Sequence, residues 1–302
     1  LCLSAIMRID RKGDFISYRI EETVIRSRVK GVYSEINTLF DGGAAPAVVE
    51  KYRPVWPSLQ VMKELYQILD RAAKRRGALD FETSESKIIV EDGVPVDIVP
   101  RSRGTAEKMI EEFMIMANRA TAKFAYDAEI PFMYRVHEDP SPERVENLRA
   151  FLKVRGLTLK RAEQAADFSQ VLDGIRGTAD EKVLSELILR CMAKARYAGE
   201  CIGHFGLALR YYCHFTSPIR RYPDEIAHRI LKDKLHGKLS EKRLRRLEKI
   251  VAESAKSSTD AEIRAMGAER AIEDLYKAVY MLPKLGETFT GIISSVAKHG
   301  IY

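Results

Sequence analysis

Cysteine is scarce in this sequence and long apolar runs are missing. Its 302 residues hold only Cys2, Cys191, Cys201 and Cys213. None of them forms a C-x-x-C pair, and no histidine stands at zinc-ligand spacing from them, which excludes a disulfide scaffold and a zinc ribbon. The expectation is four free, buried thiols in a reducing compartment, hence a cytoplasmic protein. No stretch approaches the ~18 apolar residues that a membrane-spanning helix needs, and no signal-peptide pattern is read. The phosphate loop G-x-x-x-x-G-K-[ST] and the dinucleotide turn G-x-G-x-x-G are both absent, which excludes the nucleotide chemistries that depend on them. A tight aspartate cluster is missing too. Metal-assisted cleavage of phosphodiesters needs several carboxylates converging on Mg²⁺, and the nearest pairs, Glu111–Glu112 and Glu82/Glu85, do not make such a cage.

What is present describes a globular chain. Hydrophobic residues make up 46% and charged residues 31%, enough for one large domain or two smaller ones. A net charge of +7 and a pI near 9.1 suit a polyanionic partner without requiring one. The chain opens at LCLSAIMRID without an initiator methionine and stops at GIISSVAKHGIY, inside a strand-like pattern. The expectation is a piece of a longer protein.

Residues 1–30 alternate in polarity around a Lys12-Gly13-Asp14 turn and read as a β-hairpin. A short helix follows and closes at Gly42-Gly43, and Pro46, Pro54 and Pro57 mark a loop. Apolar residues at three- and four-residue spacing predict a helix over 57–76, with Ser58 as N-cap and Gly77 as stop. Residues 79–99 read as strands, and 105–126 as a long amphipathic helix capped by Thr105. A short strand and a helix over 141–154 come next, then a helix over roughly 180–196. The glycine-rich segment 199–212 precedes a turn and a helix from Pro223 to about His236. Two helical stretches, 240–258 and 259–281, lead to a final segment with period-two alternation.

The stretch HFTSPIRRYPDEIAHR, residues 214–229, sets two arginines after a Thr-Ser-Pro turn. Arg220 and Arg221 stand among Phe215, Ile219 and Tyr222, a setting that fixes a guanidinium. Pro223 presets the helix start, and a helix N-terminus suits phosphate. Two arginines there make a phosphodiester clamp. The competing reading pairs Arg221 with Asp224 or Glu225 in an ordinary capped helix. Gly203-His204-Phe205-Gly206 reads first as close packing. His204, His214 and His228 are not at metal spacing, and Cys213 with His214 does not form a thiol–imidazole pair because strand neighbours face opposite ways. Tyr33, Phe81, Tyr211, Tyr212 and Tyr222 are candidates for base stacking or for core packing. The basic run 238–249 reads as a solvated face.

The stretch GHFGLALRYYCHFTSPIRRYPDEIAHRIL closely resembles the signature of the ribonuclease II/ribonuclease R family, and the HFTSPIRRYPD form favours the ribonuclease R branch. GALDFETSESKIIV, KMIEEFMIMANRATAKF and AERAIEDLYKAVYM resemble further family segments, so the likeness runs along nearly the whole chain. It implies an α+β fold: the RNB exoribonuclease catalytic domain over 1–283, lacking its N-terminal part. Residues 284–302 would then be the first strands of an OB-type RNA-binding module. It implies a processive, Mg²⁺-dependent 3′→5′ exoribonuclease that hydrolyses single-stranded RNA to 5′-mononucleotides, acting as a monomer with no membrane partner. Arg220 takes the place of the arginine that stabilises charge on phosphorus, and Ser217, Arg221 and Tyr222 stand beside it as RNA contacts. Tyr33 and Glu111 match positions that hold the terminal nucleotide and favour ribose. Phe81 matches the aromatic that stacks on the last bases, and Glu269 an acidic residue near the RNA path. Ala271 departs from the acidic residue usual there. The family's metal-binding aspartates have no counterpart in this chain, and the motif order places them upstream of Leu1. Two rival readings stay open: an inactive RNA-binding relative of the same fold, and a helical scaffold with no role in nucleic-acid chemistry.

Overall fold

A computed structural model describes residues 1–81, 86–100, 103–178, 180–291, 293 and 296–301. The first element is an antiparallel hairpin of β1 (Cys2–Ile9) and β2 (Phe15–Thr23), whose register runs from Cys2 opposite Thr23 to Ile9 opposite Phe15. Its turn contains Gly13 at φ 84°, a left-handed conformation that favours glycine. A Cβ on Gly13 would lie 2.6 Å from the Ala72 side chain, so the turn sits directly on the helix that carries Ala72.

Helices α1 (Tyr33–Phe40), α2 (Pro46–Tyr52) and α3 (Trp56–Arg76) follow, with a 3-10 turn at Arg53–Val55. The three prolines therefore do not form a loop. Each stands in the first turn of a helical element, where the N–H that proline lacks has no intrahelical partner to lose. Ser58 is not the N-cap of α3. The helix begins at Trp56, Val55 holds the cap position, and no side chain caps it. Gly77 does stop the helix, in a left-handed conformation at φ 78°.

The strand reading of 79–99 resolves into a hairpin, β3 (Ser86–Glu91) and β4 (Val94–Pro100). Leu79 is not in a strand; its N–H donates to Gly206 O at 2.8 Å. Residues 82–85, with Glu82 and Glu85, lie outside the described residues. Helix α4 (Thr105–Asp127) has Gly104 at its N-cap, so Thr105 is the first helical residue and not the cap. The strand β5 (Tyr134–Val136) leads to α5 (Pro142–Val154), capped by Ser141, then to α6 (Ala165–Ile175) and α7 (Glu181–Cys191). Helix α6 carries no usual start signal in the sequence, because its Gln164–Asp167 capping box lacks the customary Ser or Thr. Helix α7 ends short of the expected 196: the chain turns extended at Met192, and Arg196–Ala198 form β6, antiparallel to β5.

Helix α8 (Tyr222–Leu235) is followed by α9 (Glu241–Met281), one continuous helix of 41 residues where two were expected. The Ser-Ser-Thr-Asp run at its middle imitates a cap. Thr259 instead donates its hydroxyl to Ala255 O at 2.9 Å and accepts the Tyr197 N–H at 3.0 Å, so the helix passes through it unbroken. The last described strands, β7 (Val296–Ala297) and β8 (Gly300–Ile301), pair with each other. All four described sheets are two-stranded and antiparallel, and the architecture is α+β.

The largest core joins β2, the end of α4, residues 130–136, β6, Cys213, Phe215, α8 and the first third of α9. A second core gathers α5, α6 and α7 with Leu79, Phe81 and Phe205 packed on it. Smaller clusters lie beneath α1–α3 and around Ile115, Leu209 and Tyr212. Segment 203–217 runs between these cores, so packing on several sides sets its path. Of the thiols, Cys191 and Cys213 are buried, whereas Cys2 and Cys201 are only half-buried. All four are free, as expected. Among the described residues no helix is long and apolar enough to cross a membrane.

Candidate functional site

Apolar residues on both sides of the chain hold the 214–224 turn at its start. Phe215 is buried and stacks on His228, whose Nε2 lies 2.9 Å from Phe215 O. Asn118, buried in the middle of α4, accepts the Phe215 N–H at 3.0 Å and lies 3.2 Å from the Tyr212 hydroxyl. Cys213 points its thiol at Asn118 O, away from His214, so the two form no thiol–imidazole pair. The expected apolar packing around the arginines is incomplete: Ile219 is fully exposed and Tyr222 half-exposed.

Asp224 organises the rest of the turn. Its side chain has no solvent exposure, and a buried carboxylate needs charge-assisted partners. Oδ1 accepts the Ser217 N–H at 2.8 Å and an Arg221 guanidinium N–H at 2.8 Å. The structural alternative for Arg221 is therefore the one observed: Arg221 is a half-buried partner of Asp224. Arg220 is exposed, and among the described residues it has no acidic partner. The clasp closes the chain from Ser217 to Asp224 and leaves one of the two guanidiniums outside it. The N-terminus of α8 is not an open anion site, since Pro223 offers no N–H and the Asp224 carboxylate already stands in the first turn. Thr216 Oγ1, Arg221 Nε and Asp224 Oδ2 are buried without a protein partner.

Behind the turn lies a chain of polar contacts. Glu262 on α9 accepts two bonds from Arg135, at 2.6 and 3.0 Å. The Arg135 guanidinium lies 4.7 Å from the Tyr197 ring centre. Tyr197 Oη lies 2.8 Å from His214 Nδ1. Burial and the neighbouring Arg221 and Arg135 charges push His214 down to about 2, and burial beside His137 pushes His204 down to about 3. Both imidazoles are therefore neutral. His137 accepts the Gly206 N–H on Nδ1 at 2.9 Å, so its Nε2–H faces Ala193 O at 2.8 Å. A Cβ on Gly206 would lie 2.9 Å from His137 Nδ1 and one on Gly203 3.2 Å from Leu209 O, so these glycines serve close packing.

Glu111 and Phe81 come together through a residue the sequence reading did not select. Arg103 donates to Glu111 Oε2 at 3.2 Å, to Asp80 Oδ1 at 3.4 Å and to Phe81 O at 3.5 Å. Phe81 is half-buried against the second core, and Glu111 is exposed. Its neighbour Glu112 faces inward with Oε2 unpartnered, and burial pushes its carboxyl up against the opposing pull of Arg76. Tyr33 begins α1 and is half-exposed. Glu269 is exposed on the second half of α9, and among the described residues no hydrogen bond or ion pair joins it to the turn. Tyr212 is buried and bonded to Asn118, which settles it as core, and Tyr211 packs tilted on Tyr126 at 4.8 Å. In the basic run, Arg245 pairs with Glu241 one turn away, as expected of a solvated face, whereas Arg243 reaches the part-buried Asp233 on α8. Asn118 and Asp224 were legible in principle, as polar residues inside apolar helical patterns. Arg103 carried no such signal.

No group of three or more His, Cys, Asp or Glu side chains that could hold a metal ion occurs among the described residues. Asp224 stands alone and one of its oxygens is already shared by two N–H donors, so the residues present do not fit a Mg²⁺ site.

The RNB domain profile matches residues 1–237. Ribonuclease R 1 of Lactococcus lactis is 39% identical over 306 residues, covering 100% of this chain and 37% of that protein. Ribonuclease R of Aquifex aeolicus is also 39% identical, covering 100% of this chain and 43% of its own length. The chain thus spans less than half of these relatives. Among solved structures, Mycoplasma genitalium RNase R in complex with ribose-methylated single-stranded RNA superposes with a TM-score of 0.92 at 25% identity, covering 99% of this chain and 47% of that one. Yeast Ssd1, a pseudonuclease, shares the fold at a TM-score of 0.66 and 19% identity. With the profile match over most of the chain and the HFTSPIRRYPD turn folded as described, this chain belongs to the RNB-domain family of ribonuclease II/ribonuclease R type.

Proposed function

We propose that these residues form part of the catalytic domain of a 3′→5′ exoribonuclease that hydrolyses single-stranded RNA to 5′-mononucleotides. The observation that carries the reading is the division of labour in the turn. Asp224 takes Arg221 and the Ser217 N–H, and Arg220 is left exposed with no acidic partner among the described residues. An unpaired guanidinium on a fixed turn is a preorganised cation for charge that builds on a phosphoryl group. Glu111 accepts hydrogen bonds and suits a ribose hydroxyl, and Phe81 offers a face for a base. Tyr33, Tyr222 and Glu269 complete the proposed RNA contacts by family position. Residues 284–302 are proposed as the opening of an OB-type module.

The chemistry is Mg²⁺-dependent in this reading, with ligands outside these 302 residues. That no fitting carboxylate set occurs among the described residues also supports a second reading, an RNA-binding relative that does not cleave. The test is a gel assay of the whole protein with Mg²⁺ and 5′-labelled single-stranded RNA. Processive shortening from the 3′ end is expected. RNA that is bound yet stays intact establishes the second reading, and the absence of both binding and cleavage rejects the two together.

A further inference from the structure

A second basic cleft lies away from the turn and shares no residue with 214–224. It has a volume of about 600 Å³ and is enclosed by the β1–β2 turn, the end of α3, the middle of α4 and residues 208–211. Arg75, Arg76, Arg119, Lys123 and Arg210 line it, against a single carboxylate, Asp14. Lys123 is matched by Asp127 at 2.7 Å, but the four guanidiniums have no acidic partner among the described residues.

Protein carbonyls fix two of these arginines: Arg76 donates to Leu207 O at 2.9 Å, and Arg75 to Lys12 O. Arg119 lies 4.7 Å from the Phe15 ring centre and Arg210 5.2 Å from that of Tyr211, so cation and aromatic alternate along the wall. The wall is closely packed where the turn meets α3, because Gly13 leaves no room for a side chain against Ala72. Burial pulls the Arg76 and Arg119 guanidiniums below their ordinary value, and the carboxylates of Glu112 and Asp14 offset this only in part.

We propose that this cleft binds a ribonucleotide, with its phosphate on the arginines and its base against the aromatic and guanidinium faces. Arginine forks match phosphate oxygens two at a time, and bases stack on both aromatic rings and guanidinium planes. The volume falls within the range of about 300–1,000 Å³ usual for small-ligand sites. The same chemistry serves a free mononucleotide or one nucleotide of an RNA chain. The site is independent of the exonuclease reading, since it rests on none of the turn residues.

The test is equilibrium dialysis in magnesium-free buffer with uridine 5′-monophosphate, a five-nucleotide oligouridylate and inorganic phosphate. Saturable binding of at least one nucleotide probe is expected. Arg119→Ala and Arg210→Glu should each weaken it by about tenfold or more, while Arg190→Ala, on an exposed face of α7, leaves the mononucleotide affinity unchanged. Arg210 is exposed, so its variant reports on binding even if Arg119→Ala disturbs folding. Equal affinity for the two nucleotide probes identifies a free mononucleotide, and a strong preference for the oligonucleotide identifies an RNA segment. The proposal is overturned if neither nucleotide saturates, if phosphate alone binds as tightly, or if binding follows Arg190 and not Arg119 and Arg210.

Discussion

A carboxylate with no exposure to water, as at Asp224, is stable only when cationic or N–H partners replace its hydration, and Arg221 with the Ser217 amide do so here. The same buried setting governs the imidazoles. His214 and His204 titrate near 6.5 when unfolded and are held down to about 2 and about 3 when folded. The folded state therefore resists the proton that the unfolded state accepts. Their contribution is fully present above pH 6.5 and is lost as pH falls from there toward the folded values. Once pH is well below 6.5, each neutral histidine should remove about 1.4 kcal/mol of stability per pH unit. Urea titrations between pH 6.5 and 5 check this: His214→Gln should flatten the slope by about that amount. An unchanged slope would mean that His214 is not held neutral.

At the scale of elements, the helix stop at Gly77 joins α3 to α6. A Cβ there would lie 2.4 Å from the Ala166 side chain and 2.5 Å from its Cα, and φ is 78°. Gly42, at φ 75°, has open space around it. Alanine at Gly42 should cost about 1 kcal/mol from backbone strain alone. At Gly77 overpacking adds about 1–3 kcal/mol more. Thermal or urea midpoints of the two variants separate these contributions, and equal losses would place α6 away from Gly77. Gly77 was legible in the sequence because a glycine after a basic last turn is a strong stop signal. The prolines and the Ser-Ser-Thr-Asp run misled for the converse reason. Residues that usually end or cap a helix stand here in its first turn, or bond within it.

At the scale of the whole chain, most single helices and hairpins and the turn at 214–229 were legible because their signals are local, periodicity for the elements and a dense motif for the turn, whereas the α+β class came through the family resemblance. The partition between Arg220 and Arg221 was not legible. It depends on Asp224 being buried by cores drawn from both ends of the chain, which no spacing rule reports. The Arg103 bridge and the basic cleft were hidden for the same reason, since each assembles residues far apart in sequence. The central claim is that the clasp makes Arg221 structural and leaves Arg220 for phosphate. The most direct measurement compares Arg220→Ala with Arg221→Ala in the whole protein, by urea unfolding and by single-turnover RNA cleavage. Arg220→Ala should change stability by no more than about 0.5 kcal/mol and slow cleavage by about 100-fold or more. Arg221→Ala, which strands a buried carboxylate, should cost about 3–5 kcal/mol of stability. Unchanged cleavage in Arg220→Ala, or a stability loss equal to that of Arg221→Ala, would contradict the account.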